Sequence, residues 1–149
     1  MGDEAPVTPG YEGERDASGK RHGKGVATHK NGDVYTGGYR LGLRHGSGSY
    51  VFAAGGQYAG GYHTNKKDGE GTMSYPDGSV YKGQWTADKR NGEGVYTYAN
   101  GDSYDGGWKA GGRHGKGTYF FKAQSCQFFV STAPKPRKMA KKRGVFAQI

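Results

Sequence analysis

Cysteine is almost missing from this chain. A single Cys126 excludes a disulfide framework and fits a reducing compartment. Long apolar runs are missing too: nothing approaches the length of a membrane-spanning helix, and residues 1–10 (MGDEAPVTPG) contain no signal-peptide hydrophobic region. The expectation is a soluble, intracellular protein. Hydrophobic residues make up only 32% of 149, which excludes a thick aliphatic core and bounds the chain to one domain plus tails. Acids are scarce beside bases, 13 against 22, for a net charge of +9. Residues 132–149 hold six bases (Lys135, Arg137, Lys138, Lys141, Lys142, Arg143) and no acid, so everything before them carries only +3.

What the chain has is glycine and tyrosine, and both are in phase. Tyr11, Tyr35, Tyr58, Tyr81 and Tyr104 are spaced 24, 23, 23 and 23 residues apart. Gly23/Gly25, Gly46/Gly48, Gly69/Gly71, Gly92/Gly94 and Gly115/Gly117 keep a strict 23-residue step, as do the turn glycines Gly32, Gly55, Gly78 and Gly101. Such phasing rejects a disordered low-complexity chain and marks a repeat array. The repeats run 11–34, 35–57, 58–80, 81–103 and 104–122.

Each repeat reads as a two-stranded hairpin. Tyr81, Gly83 and Trp85 lie two apart and so share one face of a strand; the middle glycine leaves a gap for a neighbouring repeat to enter. The second aromatics of repeats two to five are Tyr39, Tyr62, Trp85 and Trp108; repeat one has Arg15 there. In the following strand Val95 and Thr97 alternate with Tyr96 and Tyr98, a period of two that excludes an amphipathic helix. Asn31-Gly32, Asp77-Gly78 and Asn100-Gly101 read as type I′ hairpin turns; Ala54-Gly55-Gly56 is the weak one. After Phe121 the phase is lost. With one inserted residue, Phe128 replaces the next opening tyrosine, so 123–131 reads as a capping strand and 132–149 as a disordered basic tail.

Catalytic and metal chemistry find no constellation. His22, His45 and His114 share one repeating loop position that Asp68 and Asn91 also fill, so they shape a turn rather than act as bases. Successive loops would hold them about 10 Å apart, too far for one ion. Residues 110–117 (AGGRHGKG) imitate a phosphate-binding loop but lack its first glycine and its Ser or Thr. No catalytic, cofactor or metal site is expected.

One series rises above the scaffold. Arg21, Arg44, Lys67, Arg90 and Arg113 recur every 23 residues just before the (H/D/N)G pair, and read as the tips of basic loops along one edge. Asp33, Asp77 and Asp102 line the opposite edge. Two readings stand level: a solvated edge that keeps the sheet soluble, and a linear basic track for an acidic partner.

The YxGxW…GxGxxxY…(N/D)G skeleton resembles the MORN repeat family over residues 11 to about 122. The resemblance implies an all-β, elongated, single-layer antiparallel meander of five hairpins, ten strands spanning roughly 48 Å, with no catalytic residues. Within that family YEGERDASGKRHGKG (11–25), NGDVYTGGYRLGLRHGSGSYVF (31–52) and NKKDGEGTMSYPDGSVYKGQW (65–85) are most similar to the MORN subunits of the axonemal radial spoke head. The irregular, basic ending departs from that type. The closer resemblance implies a structural role in the axoneme of motile cilia and flagella. Its partners would be other radial spoke head proteins and the projections of the central-pair apparatus, with a homodimer a further possibility and nucleic acid not expected. The alternative is a peripheral membrane or phosphoinositide-binding adaptor, which the cation series favours at roughly 1 kcal/mol per base. The lack of an amphipathic helix or lipidation signal counts against it.

Overall fold

The structure, a computed structural model, describes residues 9–124, 126–131 and 145–146. They form a single sheet whose strands lie side by side in chain order. Five hairpins make up most of it: β1 (Gly10–Arg15) with β2 (Arg21–Thr28), β3 (Val34–Arg40) with β4 (Leu43–Val51), β5 (Gln57–His63) with β6 (Lys66–Ser74), β7 (Val80–Thr86) with β8 (Lys89–Thr97), and β9 (Ser103–Lys109) with β10 (Gly112–Phe121). A 3₁₀ turn, Lys122–Gln124, leads to β11 (Cys126–Ser131), antiparallel to β10. Phe128 of β11 stands opposite Tyr119, the place that Tyr104 takes opposite Tyr96. Val145–Phe146 (β12) run parallel to Phe128–Phe129. The rest of the basic tail, 132–149, read from the sequence as disordered, lies outside the described residues.

The two kinds of turn are the reverse of the sequence expectation. Gly32, Gly78 and Gly101 have positive φ (88°, 86° and 88°), but Asn31, Asp77 and Asn100 before them do not. A type I′ turn needs both. Gly32 N–H donates to the His29 carbonyl at 2.9 Å and His29 N–H to the Asp33 carbonyl at 2.8 Å. This is a type I turn closed by a glycine bulge, the form that a three-residue loop selects. Pairs with positive φ at both positions sit at the other end, inside repeats two to five: Leu41-Gly42 (52°, 84°), Thr64-Asn65 (48°, 68°), Ala87-Asp88 (48°, 71°) and Ala110-Gly111 (50°, 89°). The segment after each of these pairs is therefore strand, not a basic loop.

The paired glycines have different jobs. Gly46, Gly69 and Gly92 (φ 75°, 80° and 90°) sit where the hairpin register shifts, so they form a bulge that a side chain would strain. Gly94 has an ordinary backbone but lies under the Tyr81 ring; a methyl there would come within 2.6 Å of Tyr81 Cζ. The gap beside Gly83 is thus filled by the same repeat's opening tyrosine, not by a neighbour. The neighbour packs edge-on instead. Tyr11, Tyr39, Tyr35, Tyr62, Tyr58, Trp85, Tyr81, Trp108 and Tyr104 form an unbroken row of edge-to-face rings with centroids 5.1–5.4 Å apart. Tyr35, Tyr58, Tyr81 and Tyr104 are fully buried in it. This one-ring-thick row is most of the core.

Candidate interaction surface

The five cations are not loop tips. Each lies at the first or second position of its hairpin's second strand and, in repeats two to five, sits opposite the second aromatic: Tyr39↔Arg44, Tyr62↔Lys67, Trp85↔Arg90, Trp108↔Arg113. Directly paired residues project from the same face, so the cations lie down on the rings. Arg44 lies over Tyr62 (5.1 Å), Lys67 over Trp85 (4.8 Å), Arg90 over Trp108 (4.4 Å), and Arg21 over Tyr11 (4.8 Å) and Tyr39 (5.7 Å). All four are half-buried. Desolvation lowers the Lys67 ammonium pKa, partly offset by the carboxylate of Asp88.

Each of these four cations also holds the turn of the next repeat. Gly42, Asn65, Asp88 and Gly111 donate their N–H to the carbonyls of Arg21, Arg44, Lys67 and Arg90 at 2.9–3.0 Å. Arg44 Nη2 donates to the Asn65 carbonyl (2.8 Å) and Arg90 Nη2 to the Gly111 carbonyl (2.6 Å). In return Asn65 and Asp88 accept the N–H of Arg44 and Lys67 at 2.9 Å. These caps were missed in the sequence. The signal was there: Asn or Asp in the two-residue gap before the cation, 21 residues after the one it caps. Arg113 alone is exposed, and it lies over Tyr104 only, at 5.5 Å.

The acids of the other edge are turn caps. Asp33 accepts from Ala53 N–H (2.9 Å) and the Tyr50 hydroxyl (2.7 Å), and the first of these leads in holding its carboxyl below the usual range. Asp77 is lowered likewise, chiefly by Ser79 Oγ, which donates at 2.6 Å. Asp102 accepts the Lys122 N–H at 3.0 Å.

What stays open on the aromatic face is a second row, half-buried and beside the first: Tyr50, Phe52, Met73, Tyr75, Tyr96, Tyr98 and Tyr119. Beside it a shallow depression of about 320 Å³ is lined by Arg90, Tyr96, Tyr98, Trp108 and Arg113. Half-buried tyrosines with guanidinium groups beside them are the composition of a protein-binding surface. Among the described residues no three His, Cys, Asp or Glu side chains gather to hold a metal ion, and no helix is long and apolar enough to cross a membrane.

The MORN repeat family model matches residues 17–34, 35–57, 58–80, 81–103 and 104–125. The first match begins six residues after Tyr11 and so leaves β1 outside, and the last extends three residues past 122. A comparison with curated proteins finds no match. With 23-residue repeats over most of its length and a clamp of cation, turn and ring from each to the next, the chain belongs to the MORN-repeat family, whose members are generally non-catalytic scaffolds that bind proteins or membranes.

Proposed function

We propose that this chain is a non-catalytic scaffold subunit of the radial spoke head in motile cilia and flagella, joining spoke-head proteins and facing the central-pair projections. The observation that carries a scaffold role is the half-buried second aromatic row on an otherwise self-sufficient sheet. Such a row gives a partner apolar contact without any rearrangement of the repeats. Support for the spoke head in particular comes from the likeness of residues 11–25, 31–52 and 65–85 to that subunit type. Four of the five cations are committed to holding neighbouring repeats together. The basic track therefore narrows to Arg113 and the outward edges of the others, which weakens the case for an anionic membrane as the partner.

The test is co-sedimentation with detergent-extracted axonemes beside liposome flotation, followed by pull-down of spoke-head subunits at two salt concentrations. Axoneme binding is expected, with capture weakened by Arg113→Glu and by salt, while thermal stability falls only slightly. Flotation with anionic vesicles and no axoneme binding would replace the proposal with the membrane reading.

A further inference from the structure

The register brings two histidines together that the sequence kept apart. One step beyond the Gly46↔Tyr62 pair, His45 of β4 meets His63 of β5 across the junction of repeats two and three. The equivalent positions at the other junctions hold His22 with Arg40, Asp68 with Thr86, and Asn91 with Lys109. Only here are both residues imidazoles. Distances between successive loops ruled out a shared ion for His22, His45 and His114, but that argument did not reach His63, which comes from the neighbouring strand.

The ring spacing, which lies in the range of ordinary aromatic contacts, also admits a chelate. A His nitrogen binds zinc at about 2.0–2.1 Å, and the nitrogen lies about 1.1 Å from the ring centre. Two imidazoles on one tetrahedral ion therefore hold their centroids roughly 5.2 Å apart. The His45 and His63 centroids are 5.1 Å apart, with the planes tilted by 52°. Among the described residues neither imidazole has a hydrogen-bond partner, so a bound ion would rely on water for its outer hydrogen bonds. His63 is exposed and His45 half-buried, which leaves an entry path from solvent.

The geometry points to a two-histidine site for a divalent transition metal such as Zn²⁺ that staples β4 to β5, with water in the remaining coordination positions. The staple spans the one junction whose turn, Ala54-Gly55-Gly56, lacks Asn or Asp before its glycine. Metal bound there and absent from the unfolded chain would stabilise that junction by mass action.

The probes are Zn²⁺, followed by calorimetry, and Co²⁺, whose visible absorption reports tetrahedral ligation, each added to the full chain. The expected result is one ion per chain, bound through the neutral imidazole nitrogens. Changing residues around a ligand already costs about 10–100-fold in affinity, so losing a ligand outright should cost at least about tenfold. His63→Gln is the main variant, since it removes an exposed ring; His45→Gln is the second. The triple variant His22→Gln, His29→Gln, His114→Gln should bind like the wild type. Circular dichroism without metal checks that each variant folds. Affinity within twofold of wild type in both single variants would overturn the site, as would binding lost in the triple variant. Half an ion per chain with dimerisation would also overturn it, since the ion would then bridge two copies.

Discussion

Replacing Arg90 by alanine, beside the same change at Arg113, separates a clamp from a solvated edge. Arg90 lies 4.4 Å from the Trp108 centroid, 5.3 Å from Tyr96 and 5.6 Å from Tyr81, and donates to the Gly111 carbonyl at 2.6 Å. A partly desolvated cation–π contact is worth about 0.5–2 kcal/mol, and a hydrogen bond from a charged group about 1.5–3. The side chain is half-exposed, so both are taken at the low end, for a loss of roughly 2 kcal/mol. Arg113 has one ring at 5.5 Å and is exposed, which sets its loss at about 0.5 kcal/mol. Urea unfolding followed by tryptophan fluorescence measures both, because Trp108 is the ring under Arg90. Equal midpoints for the two variants would refute the clamp and return all five cations to a solvated edge. By the same reasoning a triple reversal of Arg44, Lys67 and Arg90 to Glu unfolds the array rather than sparing it.

Trp85→Ala removes a ring held between Tyr58 and Tyr81 and the hydrogen bond from Nε1 to the Gly71 carbonyl at 3.1 Å; the expected cost is about 3–5 kcal/mol. Arg15→Ala, at the exposed start, loses a hydrogen bond to the Gly19 carbonyl (2.8 Å) and a contact over Tyr11 (4.9 Å), both open to solvent, and should cost about 1 kcal/mol by the same denaturant measurement; a loss equal to that of Trp85→Ala would contradict the repeat registry. Gly94→Ala drives a methyl into Tyr81 and should cost about 1–3 kcal/mol. Gly112→Ala, whose added methyl would find only the Lys109 carbonyl at 3.7 Å, should be close to neutral in a thermal melt. Burial raises the pKa of Tyr35 and Tyr81 from 10.0 to about 12. A raised pKa means stability that is complete below pH 10 and lost as pH rises toward 12. Absorption from these buried tyrosinates should therefore appear late and together with loss of the β signal; complete tyrosine ionisation near pH 10 with the fold intact would show that the tyrosine row is not buried.

Much of this architecture was legible because the period is covalent. The 23-residue phase of the tyrosines and glycines fixes how many hairpins there are, and the period-two alternation fixes which residues share a face. Turn chemistry was read at the wrong end. Asn100-Gly101 carries the strongest local signal for a type I′ turn, yet a loop one residue longer lets the glycine alone take positive φ. Ala87-Asp88 carries almost no such signal. It takes the conformation because Asp88 N–H reaches the Lys67 carbonyl of the preceding repeat, a contact between residues 21 apart. The cations were misplaced for the same reason. A base after a short polar stretch looks like a loop tip until strand pairing puts Arg90 opposite Trp85 and beneath the next repeat. His63 went unnoticed because it follows no period at all.

The most direct test of the clamp between repeats is amide hydrogen exchange at the four tight turns, followed by NMR. Gly42, Asn65, Asp88 and Gly111 stand at hairpin ends, where amides normally exchange within the fast, fraying class. Here each donates to a carbonyl of the preceding repeat at 2.9–3.0 Å. They should therefore be protected nearly as well as strand interiors, while Leu41 and Thr64 beside them exchange quickly. Fast exchange at all eight turn positions would mean that the hairpins stand side by side without holding one another.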